Sequence, residues 1–181
     1  MRVVGVVGLP GSGKSEAAAV ADRLGIPVVT MGDVIRRACR ERGLDPAKHH
    51  GQVAQALRNE SGPAAIADRS VPMIEDALRA YDTVLVDGIR SDAEVDRFEE
   101  AFGDDFVLVR VEAPFEVRAE RVEDRGRDDP DAESLRDRDE RELGFGMGEA
   151  MERAEVTIEN TDSLEAFHER VQALLEGDDG Q

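Results

Sequence analysis

Residues 8–15 read GLPGSGKS, the spacing Gly-x-x-x-x-Gly-Lys-Ser. Each residue type in it answers a need of polyphosphate binding. Gly8, Gly11 and Gly13 let the backbone curl until its N–H groups point inward at phosphate oxygens. A helix that begins at Lys14 turns its positive dipole end on the same anion. Lys14 then reaches the β- and γ-phosphates of a nucleotide, and the Ser15 hydroxyl becomes a ligand for Mg²⁺. Pro10 and Ser12 complete the nucleotide-binding loop. The alternative is a Gly-rich turn without a ligand. It is disfavoured because Lys14 and Lys48 are the only lysines in the chain, which makes a chance match rare. The run TVLVDG at 83–88 ends on Asp87, a carboxylate placed to hold a water on Mg²⁺. An Asp beside Gly88 can also merely open a turn, but its pairing with the loop favours the metal. These residues predict a site for a nucleoside triphosphate, ATP, with Mg²⁺.

The elements that must position them follow from hydrophobic spacing. Compact runs of Val, Leu and Ile at Arg2–Val7, Pro27–Thr30, Thr83–Val86, Phe106–Glu112 and Val156–Ile158 lack clean polar alternation. Strands covered on both faces have that pattern. Helices are expected at Lys14–Leu24, Gly32–Arg42, Gln52–Glu60, Ala64–Ala80, Asp92–Phe102, Phe115–Glu123, Glu133–Leu143 and Leu164–Glu176. The pairs Ser91/Glu94 and Asp162/Glu165 are the residues of capping boxes. Strands alternating with helices predict a three-layer α/β domain over residues 1–176 with a five-stranded parallel sheet. Residues 43–62 and the charged run 124–131 are expected as exposed inserts or mobile loops, and Gly177–Gln181 as a disordered tail.

Several segments beyond the loop resemble one family. Switch GTPases carry an NKxD motif, which this chain lacks, and 181 residues are too few for the larger module of AAA-type motors. VTMGDVIRR at 29–37 resembles the phosphoacceptor motif of adenylate kinases. DGIR at 87–90 is similar to their Asp-Gly-x-Pro-Arg without the proline, and RVEDR at 121–125 to the Arg-x-x-x-Arg that opens their lid. GRDD at 126–129 and ESLRDR at 133–138 resemble the lid exit of short-lid UMP/CMP kinases. On these segments the chain is identified as a member of an archaeal family related to adenylate kinase. The resemblance implies a P-loop NTPase fold of nucleoside-kinase type, with a small acceptor insert at about 31–69 and a short lid at about 121–138. It implies that Gly32, Arg36 and Arg90 grip an acceptor phosphate, that Arg121 lies over adenine, and that Arg125 contacts the ATP phosphates. Arg127 and Arg138 would converge on the transferring phosphoryl group, where planar guanidinium forks match phosphate oxygens. Each arginine of the lid segment also reads as part of a solvated, salt-bridged helix.

The segment 49–69 departs from the usual acceptor-nucleobase domain, which leaves the acceptor open. Arg58 and Arg69 are extra phosphate contacts or solvated helix residues. His49 and His50 form no recognisable metal set and receive no role, Cys39 reads as a small buried hydrophobe, and GFGMG at 144–148 either moves or joins two helices. Three functions remain. The first is a nucleoside monophosphate kinase-like transfer to an acceptor phosphate. The second is a dephospho-coenzyme A kinase-like transfer to a hydroxyl, with Asp33 as the base. The third is an ATP-dependent switch acting on a protein partner.

Charge bounds the partners. The chain of 181 residues carries a net charge of −18, with 35% charged residues spread along its length. Such a surface repels nucleic acid and anionic membranes, so a small-molecule acceptor is the expected partner. The runs VVGVVG at 3–8 and TVLV at 83–86 are too short to cross a bilayer, and a lone Cys39 suits a reducing cytoplasm. Acidity so evenly spread fits a salty cytoplasm, where a Debye length of ~3 Å at 1 M screens self-repulsion. An Arg-rich coding bias is the alternative. Thermal unfolding in low and in molar KCl separates them: the midpoint rises with salt, and equal midpoints would count against a salt-adapted surface.

Overall fold

The structure is a computed structural model that describes residues 1–126 and 133–177, of Arg125 the backbone alone. Five strands form one parallel sheet: β1 (Arg2–Val7), β2 (Val28–Thr30), β3 (Thr83–Asp87), β4 (Phe106–Glu112) and β5 (Val156–Glu159). Their order is β2-β3-β1-β4-β5, so β1 is central, with β3 on one side and β4 on the other. Parallel neighbours need long crossovers, and here helices make them and cover both faces. Successive β1 side chains point to opposite faces. Val4 and Val6 pack under α1 (Lys14–Arg23) and α9 (Leu164–Glu176), and Val3 and Val7 pack under the helices of the other face. Those are α2 (Met31–Glu41), α3 (Pro46–Ser61), α4 (Ala65–Leu78), α5 (Asp92–Phe102) and the short α8 (Met147–Glu152). The expected three-layer α/β architecture with a five-stranded parallel sheet is therefore present. No helix among the described residues is long and apolar enough to cross a membrane.

Three local expectations change. Residues 46–61 are not a loop but helix α3, which starts six residues before the expected Gln52. Asp45 caps it by accepting from the Ala47 N–H at 3.0 Å, Pro46 takes the first turn where no N–H is needed, and Val53, Ala54 and Leu57 are buried. The GFGMG segment opens a further helix, α8, after Gly146 in the left-handed region at φ 102°. The cap of α9 is Ser163, which accepts from the Ala166 N–H at 3.2 Å, while Asp162 pairs with Arg170. The tail residues 178–181 and the part of the charged run at 127–131 lie outside the described residues.

Two more helices, α6 (Phe115–Gly126) and α7 (Leu135–Gly144), flank the undescribed residues. Ser134 caps α7 through the Asp137 N–H. Arg118, 5% exposed, ties both helices to the loop after β1. Its guanidinium donates to the Pro10 carbonyl at 3.1 Å and to both oxygens of Asp139 on α7, at 2.8 and 2.9 Å, and its Nε donates to the Ala113 carbonyl at 3.1 Å. A buried charge left without its partner is costly. Asp139→Ala is expected to lower stability in urea by about 3–5 kcal/mol.

Candidate active site

The loop leaves the C-terminal end of β1, where the order of the sheet reverses, and in open α/β sheets this crevice is where ligands bind. Its carbonyls are held from behind. Asn160, at the end of β5, donates from Nδ2 to the Ser12 carbonyl at 2.8 Å. Arg121 donates to the carbonyls of Gly11, Ser12 and Asn160 at 3.3, 3.4 and 2.7 Å, and Arg118 holds that of Pro10. A planar trans peptide sets its N–H opposite its C=O, so the Gly11 and Gly13 N–H groups point away from these side chains. Gly13 has φ 117°, and a Cβ there would lie 2.4 Å from Asn160 Nδ2. Only glycine meets both demands.

Lys14 donates to the carbonyls of Gly8 and of Leu9, the latter at 3.3 Å. Burial lowers its pKa from the ordinary 10.5 to about 8, against the opposing pull of Asp87 and Glu142. Ser12 Oγ is buried without a partner among the described residues, so the loop retains an unused polar group for a phosphate oxygen. Ser15 stands exposed in the first turn of α1, and Asp87 ends β3, in register with Val6 of β1. One hydroxyl and one carboxylate beside a phosphate site suit Mg²⁺, which keeps waters and takes phosphate oxygens. The residues therefore fit both ATP and Mg²⁺.

A cavity of about 370 Å³ adjoins Lys14. Five cationic side chains line it (Lys14, Arg36, Arg58, Arg90 and Arg138) against three carboxylates, Asp87, Glu94 and Glu142. Gly32, His50 and Phe145 also line it. Each carboxylate beside an arginine fixes its direction. Glu142 lies 3.4 Å from Arg90 Nη1. Glu94, 1% exposed, accepts from the Arg90 N–H at 2.8 Å and lies 3.7 Å from Arg58, and its burial raises its pKa. Arg58 also sits 5.4 Å over the Phe145 ring. Burial, then Arg90 and Arg36, lower the pKa of His50.

The structure thus brings together Lys14, Gly32, Arg36, Asp87, Arg90 and Arg138 of the sequence-predicted set. Asp33 stands apart: its exposed carboxylate is held by Arg36 Nε at 2.8 Å and Nη2 at 2.6 Å, and it does not line the cavity. Arg121 lies against the back of the loop. The side chain of Arg125 and all of Arg127 lie outside the described residues. Arg69 is exposed away from the cavity, whereas Arg58 is in it. Sequence reasoning missed Arg118, Asn160, His50 and Glu142, and saw Glu94 only as a cap. The available signals were weak: Arg118 is one turn before Arg121, and Glu94 one turn after Arg90.

The strand order, the loop on the central strand and the arginine-lined cavity beside it define the P-loop kinase fold. Solved structures agree. TT1252 from Thermus thermophilus matches with a TM-score of 0.65 at 24% identity, covering 97% of each chain. Shikimate kinase from Acinetobacter baumannii in complex with shikimate matches with a TM-score of 0.58 at 17% identity, covering 100% of this chain and 96% of that one. A family model described as an AAA domain matches residues 7–136, so the size argument against AAA-type modules does not hold as a statement about family. A UPF0200 protein of the archaeon Halobacterium salinarum is 64% identical over 179 residues, 98% of this chain and 94% of its own length. The chain belongs to the UPF0200 family.

Lys14 makes nucleotide affinity depend on pH. Phosphate binds the ammonium form, so above a pKa of about 8 binding must take up a proton. Affinity is expected to be flat below pH 7 and to fall by up to about tenfold per pH unit above 8 in calorimetric titrations, a slope that Lys14→Met removes. For stability the sign runs the other way. The unfolded chain binds more protons between pH 8 and 10.5, so relief from burying this charge grows as pH rises through that window.

Proposed function

We propose that this protein is an ATP-dependent small-molecule kinase of the nucleoside monophosphate kinase type, which transfers the γ-phosphoryl group of ATP to an acceptor phosphate and yields ADP and a phosphoanhydride. One observation carries the reading: a protein of net charge −18 concentrates five cationic side chains against three carboxylates in the cavity beside its phosphate loop. Such a cavity attracts an anion that the rest of the surface repels. The likeness in fold to a shikimate kinase supports the donor half.

Each residue then has a task. The loop N–H groups and Lys14 hold the β- and γ-phosphates, Arg121 acts from behind through the loop carbonyls rather than over adenine, and the resemblance to adenylate kinases would add Arg125 at the ATP phosphates. Mg²⁺, held by Ser15 and through water by Asp87, would neutralise charge that develops on the phosphates. Arg36 and Arg90 grip the acceptor phosphate with Gly32 beside them, and Asp33 keeps Arg36 turned toward it. Arg138, which lines the cavity, would meet the phosphoryl group in transfer, and the resemblance to adenylate kinases would give Arg127 the same task. The attacking phosphate oxygen is already ionised, so no base is needed. An exposed Asp33 already bound by a guanidinium favours this reading over transfer to a hydroxyl.

The test is ADP release in molar KCl with Mg·ATP against AMP, CMP, UMP, GMP, dephospho-coenzyme A and no acceptor. One monophosphate is expected to drive turnover, Lys14→Ala to abolish it, and Arg90→Ala to raise the acceptor KM by about tenfold or more. Turnover with dephospho-coenzyme A would move the acceptor to a hydroxyl. Slow turnover indifferent to every acceptor would point to a switch protein instead.

A further inference from the structure

One face of α3 lines the cavity with His50, Gly51, Ala54, Gln55 and Arg58, a single stripe at helical spacing. Between its two basic ends Gly51 and Ala54 are small and Gln55 is uncharged, and a Cβ at Gly51 would meet no atom within 4 Å. Across this space, Arg36 Nη1 and His50 Nε2 lie 3.3 and 3.6 Å from one point, the place a Cβ on Gly32 would occupy. Arg58 is 18% exposed on its side chain and is held between the Phe145 ring and Glu94. Glu94 in turn binds the N–H of Arg90, so one buried carboxylate ties Arg58 and the Arg90 segment to a common point.

We propose that His50 and Arg58 complete an anion cradle with Arg36 and Arg90, and that this cradle selects an acceptor bearing a doubly charged phosphomonoester over one bearing a single carboxylate. The inference rests on the kinase reading only in calling the ligand an acceptor. The charged groups that share the cavity with His50 are Lys14 on α1, Arg36 with its partner Asp33 on α2, Arg58 on α3 itself, Asp87 at the end of β3, Arg90 after it, Glu94 on α5, and Arg138 with Glu142 on α7. Three of the arginines already have carboxylate partners, which leaves the cradle a modest cationic excess before an anion binds. Burial and then the guanidinium groups of Arg90, Arg36 and Arg58 lower the pKa of His50, against a hydrogen bond with the Gly32 backbone that raises it. A dianion reverses that field and draws a proton onto the imidazole, which then donates a charge-assisted hydrogen bond. A single carboxylate supplies half the charge and does not reverse it. Phosphomonoester binding therefore takes up a proton at His50, and carboxylate binding does not.

The test follows the ring signals of His49, His50 and His168 by NMR as pH is varied at constant KCl, with His50 assigned by its loss in His50→Gln. The probes are sulfate, a dianion that does not titrate in this range, and acetate. Sulfate is expected to raise the His50 midpoint by about one pH unit and acetate by much less, with His168 unmoved in both. Arg58→Met is expected to remove most of the rise, and Arg58→Lys to keep part of it. An unmoved His50 in sulfate, an equal rise in acetate, or a full rise in Arg58→Met would overturn the cradle. Should Arg58→Met not fold, Arg58→Gln answers the same question. A His50 response without any ATP turnover would keep the cradle and discard the kinase.

Discussion

The site depends on a backbone loop being held in a shape it would not keep alone. A chain curled so that successive N–H groups converge must turn its carbonyls outward, and outward carbonyls inside a protein need donors. Here the donors are Arg118, Arg121 and Asn160, which bind the carbonyls of Pro10, Gly11 and Ser12. They come from α6 and from the end of β5, far along the chain from the loop they support. Gly13 is required twice over, by its φ and by the Asn160 amide where a side chain would begin. The sheet order supplies the rest: with β1 central, both neighbouring strands deliver their ends to the same crevice.

Electrostatics works by local inversion. Three of the cavity's arginines are set against a carboxylate: Arg36 on Asp33, Arg58 near Glu94 and Arg90 near Glu142. These pairs cost side-chain freedom and desolvation, and they leave the guanidinium groups directed before any ligand arrives. Arginine suits the task because its fork can serve a carboxylate on one edge and another anion on the other. Burial of Glu94 and Lys14 raises the stakes, since each pairing is stronger in low dielectric and each loss more costly.

The sequence makes the sheet and the phosphate loop plain because both are local. Unbroken Val and Leu runs can only be doubly covered strands, and GLPGSGKS has few other uses. Asp87 follows from its place at the end of a strand, Arg36 and Arg90 only from the resemblance to adenylate kinases, and all three line the cavity. The first six residues of helix α3 were hidden by their composition. His49, His50 and Gly51 look like a loop, and the Asp45-Pro46 start that caps the helix outweighs them. Arg118, Asn160 and Glu142 were illegible for another reason. Each acts through contacts more than 20 residues away, with Pro10, Ser12 and Arg90, and no spacing along the chain announces such a contact.

The division of labour along the chain has a consequence for descent. The α2 and α3 residues of the cavity wall all lie between β2 and β3, in one uninterrupted stretch, whereas the groups that shape the phosphate loop lie after β4 and β5. Exchange of the stretch between β2 and β3 would leave untouched every side-chain bond described here to the loop carbonyls. A lineage built this way can change what its cavity admits while inheriting its phosphate grip intact, so the two halves of the site are free to diverge at different rates.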